Sequence, residues 1–309
     1  MVSATIRSEN GKQAWLILEN DLLKVEIFLL KGAEVIGCTS KKTNVQVIRQ
    51  IESRKGGYDK LIREPEHDYV DNFHNEYTSG AWFEMFPHAG VPTGVDLPFP
   101  VPQHGDLRHT PFTAEVLQQS DTRAVARVAM RSKLAPYQIT RTYTVLAGDP
   151  RVIVREELTN TQAEPYPVIW GHHPTLGMPF IDEAQVEVSA QTILDEKNNR
   201  YDYPMVGTVD LRTTLGASPD KDVYRMYFLT DLKTGKFTLR NPSLKTTFSM
   251  EFDRKLFPYL WYWNTRGGTS TMHDSLSLEF VTGVPYNMNK DRIMFEKMLV
   301  TEFAFGFFS

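Results

Sequence analysis

Period two governs the hydrophobic pattern of this chain. Ala124, Ala126, Val128 and Met130 alternate with Arg123 and Arg127, and Phe248, Met250 and Phe252 alternate with Thr247, Ser249 and Glu251. Successive strand side chains point to opposite faces, so this alternation predicts strands with one face in a core. The same reading predicts strands over 22–30, 137–146, 151–158, 185–189, 236–241, 259–264, 275–281 and 298–307, with a short apolar strand at 166–170. Turn sequences punctuate the runs: Leu146-Ala147-Gly148-Asp149-Pro150, Lys233-Thr234-Gly235 and Arg266-Gly267-Gly268. Helical periodicity is nearly absent, and 51–61 and 290–296 are the best helical candidates. Many closely spaced strands with few helices predict an all-β fold, a large antiparallel β-sandwich with few short helices. There is no internal repeat of propeller or solenoid length and no low-complexity linker, so 1–309 is expected to form a single domain.

The pattern breaks between Glu52 and Leu107, a stretch rich in proline, glycine, histidine and aromatic residues. Loops this long inside compact domains are usually functional or disordered. Trp82, Phe83, Phe86 and Phe99 favour an ordered loop that packs and lines a cavity. With 309 residues the chain can bury a large core, and 41% hydrophobic with 23% charged residues is ordinary for a globular protein. A net charge of -4 and a pI near 6.1 argue against a nucleic-acid partner. The single cysteine, Cys38, excludes an intrachain disulfide and sits in the apolar run Val35-Ile36-Gly37-Cys38, where it reads as core. The N-terminus lacks the features of a signal peptide, and no apolar stretch is long enough to span a bilayer. A cytoplasmic protein without a membrane partner, monomeric or homodimeric, is therefore expected.

Two segments present imidazole beside glycine or proline: Pro102-Gln103-His104-Gly105-Asp106-Leu107-Arg108 and Gly171-His172-His173-Pro174. The second follows the strand at 166–170, so His172 and His173 should point to opposite faces, one into a cavity and the other elsewhere. Glu279, within Leu276-Ser277-Leu278-Glu279-Phe280, could complete an acid–base set, although alternation could equally turn it to solvent. The Arg108 guanidinium could bind a sugar hydroxyl or an anionic group, or pair with Asp106 or Glu84. Trp82, Phe86 and the run Tyr259-Leu260-Trp261-Tyr262-Trp263 offer aromatic faces for a sugar ring, or plain core. His104, His109, His172, His173 and Glu279 are all possible metal ligands, but their spacing matches no compact motif, so no metal is expected. Phosphate-binding glycine loops and GxSxG elbows are absent too, which disfavours a nucleotide cofactor and serine-hydrolase chemistry.

Taken together, these residues resemble the aldose 1-epimerase (galactose mutarotase-like) superfamily, in order along nearly the whole chain. The resemblance rests on Asn20–Ile27 with the glycine-alanine turn of Lys31–Val35, on the HGxxR at His104–Arg108, on Trp170–Gly177 with its histidine-proline turn, and on Leu278-Glu279-Phe280. Met85-Phe86-Pro87 is similar to the hexose-phosphate epimerase branch. It implies a β-supersandwich with a carbohydrate cleft, and a cofactor-independent isomerase that opens and recloses an aldose ring. Glu279 would be the base, His173 the acid and His104 the group that places the sugar near its ring oxygen. Glu279 would then be ionised and His173 protonated, each favouring the other's charge. Arg108, His172, Trp82 and Trp261 would contact a small-molecule carbohydrate, with Asp222 as the counterpart of a substrate-binding aspartate. His172 beside His173 leaves the acid open by one residue. His104-Gly105-Asp106 departs from the superfamily's HGG, and the aromatic insertion before it suggests a substrate other than galactose. A non-catalytic carbohydrate-binding or regulatory protein on the same scaffold is the competing reading, and a metal-dependent isomerase a third.

Overall fold

The computed structural model describes residues 2–49, 81–91, 99, 102–214, 223–266, 274–284 and 292–308. Asp222, the helical candidate at 51–61 and most of the aromatic insertion lie outside the described residues. The expected strands form at or close to the expected positions, including Tyr137–Leu146, Lys236–Asn241 and Ser275–Val281. The helical expectation for 290–296 is corrected: Ile293–Phe295 is a strand, paired antiparallel with Tyr166–Val168. Ile293 and Phe295 pack on the main core while Met294 is exposed, so the period is two rather than helical. Among the described residues the one helical element is the 3₁₀ turn Leu107–His109.

Three antiparallel sheets make up most of the fold. The first five strands form an N-terminal meander from Ser3 to Gln46. A back sheet of eight strands runs, in spatial order, Gln185–Val188, Lys236–Asn241, Thr246–Glu251, Met298–Gly306, Arg151–Asn160, Tyr137–Leu146, Arg123–Arg131 and Thr113–Gln119. The other eight-stranded sheet, here the site sheet, runs Arg200–Asp202, Thr192–Leu194, Val223–Thr230, Tyr259–Arg266, Ser275–Val281, Gly171–His173 and Phe83–Met85, with Thr175–Gly177 also paired to Ser275–Val281.

One face of the site sheet supplies the core. Leu260, Tyr262, Leu276, Leu278 and Phe280 alternate inward and are fully buried. Phe280 stacks on Phe252 at 5.0 Å and meets Phe303 of the back sheet at 5.6 Å. Alternation therefore turns Tyr259, Trp261 and Trp263, and Ser275, Ser277, Glu279 and Val281, to the opposite face. A second apolar cluster forms there from Phe83, Met85, Ile169, Phe228, Trp261 and Val281.

Candidate functional site

The second face of the site sheet gathers the polar chemistry. Glu279 stands opposite Trp261 in the strand register, and Ser277 opposite Trp263. The short Gly171–His173 strand lies on the far side of Ser275–Val281 and pairs His173 with Phe83 and His172 with Glu84. Hence His173 and Phe83 share the Glu279 face, while His172 and Glu84 point into the core.

His173 Nε2 lies 3.1 Å from Glu279 Oε1, with the His173 side chain 12% and the Glu279 side chain 2% exposed. The imidazole stacks on Phe83 with centroids 4.4 Å apart. Its other nitrogen, Nδ1, meets Thr175 Oγ1 at 3.0 Å and Ser277 Oγ at 3.1 Å. Trp263 and His104 complete the surround, each with its ring centroid 5.8 Å from that of His173. Burial pushes the Glu279 carboxyl well above the usual carboxylate range, and burial with the nearby positive Arg108 pulls His173 down to about 3. Each shift favours the uncharged form of its group, carboxylic acid for Glu279 and neutral imidazole for His173. Desolvation thus opposes the expected charged pair, which the 3.1 Å contact favours.

His104 reaches the site from a strained turn. It has φ 65 and Gly105 φ 78, both left-handed. A Cβ on Gly105 would lie 1.9 Å from the Phe86 carbonyl oxygen, so only glycine fits beneath the bridge from Phe86 to Gly105. The Gly90 N–H donates to His104 Nδ1 at 3.1 Å, which places the proton of neutral His104 on Nε2. Arg108 is buried with its guanidinium 3.6 Å from the centre of the Phe83 ring. Since His173 covers one face of that ring, Arg108 occupies the other. The expected alternative partners of Arg108 are taken up elsewhere: Asp106 accepts from Tyr137 at 2.8 Å and from Ser132, and Glu84 bonds to Arg141 and Trp170.

Two of the expected sugar-contacting residues are not on this face. Trp82 is 4% exposed and packs edge-on against Phe305 at 4.6 Å, in the core. His172 is buried on the same side, stacked on Phe280 at 4.4 Å. The physical reason is the strand pleat: each is one residue away from a side chain that does face Glu279. Trp261 is on the Glu279 side but forms its floor, 2% exposed and donating its indole N–H to the Gly283 carbonyl at 2.9 Å. Ser277 and Thr175 went unread in the sequence, while Trp263 was read only within its aromatic run and Phe83 only as lining a packed loop. Ser277 and Trp263 lie two positions from Glu279 and Trp261, so alternation was a usable signal for both. Phe83 and Thr175 sit in strands of three residues, too short to show a period.

Behind His173, on the core side, lies a buried ionic group. Arg141 of the back sheet binds Glu84 and reaches Glu156 at 2.8 Å; His172 Nε2 is 3.0 Å from Glu156 but not aligned as a hydrogen bond. Burial pushes Glu84 and Glu156 each up to about 7 and His172 down to about 3. Donor atoms of Glu84, Glu156 and His172 lie within 4.8 Å of one another, a spacing a metal could use. Arg141, hydrogen-bonded to Glu84 and ion-paired with Glu156, already supplies the compensating cation, so the group reads as a brace between sheets.

Residues 10–292 match the family described as a domain of unknown function, DUF4432. The chain belongs to this family. No curated protein matches its sequence. Solved structures match the fold along nearly its whole length. A galactose mutarotase-like protein from Clostridium acetobutylicum superposes with a TM-score of 0.71 at 12% identity, covering 98% of each chain. A protein provisionally named an aldose 1-epimerase, from Klebsiella pneumoniae, gives 0.73 at 13% identity over 99% of this chain and 83% of its own. A galactose mutarotase related enzyme from Lactobacillus acidophilus gives 0.63 at 15% identity over 96% and 97%. The fold is thus galactose mutarotase-like, as the order of motifs implied.

Proposed function

We propose that this protein is a cofactor-independent epimerase acting at C1 of an aldose or sugar derivative. The observation that carries the reading is the 3.1 Å contact of His173 Nε2 with Glu279 Oε1, on the outward face of a mutarotase-like sheet and beside His104. An aldopyranose is a hemiacetal, and its ring opens when a base takes the O1 proton and an acid protonates the ring oxygen. The C1–O5 bond breaks with its electron pair going to O5, and C1 becomes a carbonyl. Rotation about C1–C2 and reclosure on the other face give the second anomer.

The pair's single proton serves both roles. Shifted from Oε1 to Nε2, it leaves Glu279 as carboxylate and His173 as imidazolium, the forms that accept from O1 and donate to O5. Ring opening then returns Glu279 to acid and His173 to neutral imidazole, the forms burial favours. The cycle is closed in protons, because each closure reverses the two transfers. Two positioned proton carriers of this kind contribute about 10²–10⁴-fold each. Trp263 and the half-exposed Tyr224 offer aromatic surface near the pair. His104 would hold the sugar through Nε2–H.

Saturation-transfer NMR of anomer exchange tests the reading, with the protein titrated into aldoses, hexose phosphates and uronic acids. Accelerated exchange for one class is expected, falling at least about 100-fold in both Glu279→Gln and His173→Asn. Exchange unaltered by either substitution would overturn the assignment. Saturable sugar binding without acceleration would move the protein to the carbohydrate-binding class.

A further inference from the structure

The side of His173 turned away from Glu279 carries a second arrangement that the acid–base reading does not use. Thr175 and Ser277 are register partners on adjacent strands, so their hydroxyls rise side by side on the Glu279 face. Both residues are fully buried, 1% and 0% exposed, so water does not compete for their bonds. Ser277 Oγ lies 3.0 Å from the Pro174 carbonyl, a group that can only accept, and 3.4 Å from Thr175 Oγ1, so the closer carbonyl is the better acceptor of the serine hydrogen. What Ser277 turns to His173 Nδ1, 3.1 Å away, is then a lone pair. A bare Nδ1 would set lone pair against lone pair; an Nδ1–H instead donates to Ser277 and to Thr175 Oγ1 at 3.0 Å.

We infer that Ser277 and Thr175 are positioning residues that hold His173 in its Nδ1–H form, so that the proton His173 exchanges is always the one on Nε2. The inference rests on the proposed epimerase reading for its consequence, though not for its geometry. A histidine fixed this way keeps one nitrogen permanently occupied and aims the other at Glu279 and the substrate. The imidazolium formed on proton transfer also gains, because both of its N–H groups then have acceptors. Without the two hydroxyls the neutral ring would turn to the Nε2–H form, donating to Glu279. Nε2 would then have no lone pair to take up the Glu279 proton.

Long-range ¹H–¹⁵N correlation spectra of the full chain, labelled at its eight histidines, read this form directly. His173→Asn identifies the His173 signals. The wild type is expected to show a protonated Nδ1 and a bare Nε2 at His173. Ser277→Ala combined with Thr175→Val is expected to reverse that pattern and to lower the maximal exchange rate about 10–100-fold with KM little changed. Thr175→Ser, which keeps the hydroxyl, should retain both the pattern and the rate and controls for folding. A bare Nδ1 in the wild type, or a pattern unmoved by the double substitution, would overturn the inference whatever the activity. A reversed pattern with an undiminished exchange rate would overturn the positioning role. Absence of anomer exchange in a wild type with the expected pattern would count against the epimerase reading alone.

Discussion

Glu279 shows how environment rather than residue type sets a side chain's role. Its strand is buried along its whole length, Ser275–Val281, so the alternation that would turn a glutamate to solvent instead turns it toward a covered second face. There, burial pushes Glu279 up and His173 down to about 3, so the proposed mechanism gives the pair a single proton to share. The sign of the pH dependence follows. A second proton joins the pair only near the lowered His173 value, and the single proton leaves only near the raised Glu279 value. The exchange rate is therefore expected to fall on acidification only toward the lowered His173 value of about 3, and to hold with rising pH until the raised Glu279 value is reached. A pH–rate profile of kcat/KM decides this, and a loss of rate on acidification centred well above pH 3 would contradict a one-proton pair.

At the scale of elements, the pleat sorts neighbours in sequence into different jobs. Phe83 and His173 face Glu279; Glu84 and His172, directly paired with each other one step along, join the brace with Arg141 and Glu156. The turn carrying His104 is fixed by the close approach of Gly105 to Phe86, 1.9 Å from the oxygen to a would-be Cβ. Gly105→Ala must both move that backbone and adopt a left-handed conformation. A loss of about 2 kcal/mol or more is expected in urea unfolding, with His104 displaced from Gly90. An alanine variant as stable as the wild type would show that the bridge tolerates a side chain there.

Across the whole molecule, buried histidines and buried carboxyls pull stability in opposite directions with pH. His88, His172 and His173 are held near 4, 3 and 3, below their ordinary 6.5, so the unfolded chain binds more protons than the folded one as pH falls through that interval. This contribution is fully present above pH 6.5 and is lost on acidification. Glu84 and Glu156, raised to about 7 from 4.5, and Glu279, raised well above 4.5, act the other way: the folded state holds protons the unfolded state has released, and stability falls as pH rises through the interval. The two effects offset each other between about pH 4.5 and 6.5, and below that the histidines act alone, each contributing up to about 1.4 kcal/mol per pH unit. Urea denaturation from pH 7 down to pH 3.5 should show a shallow region followed by a steep acid limb, and His172→Gln should flatten that limb. A uniform decline beginning at pH 6.5 would contradict the offset.

Much of the fold was legible in the sequence because strand alternation is a local property, visible wherever a run is long enough to repeat. The strands at Tyr137–Leu146, Lys236–Asn241 and Ser275–Val281 declared themselves in this way, as did the order of histidine and glutamate motifs. Short strands carried no period, so Thr175 was silent and Phe83 read only as part of a packed loop, and 290–296 read as helix though it holds a strand. The sequence by itself determined an all-β sandwich and the residue types able to move protons. Only the tertiary structure decided that His173 rather than His172 meets Glu279, that Trp82 belongs to the core, and that burial opposes charge on the pair. Those outcomes depend on register between strands distant in the chain and on the exclusion of water, and neither is written in any single segment.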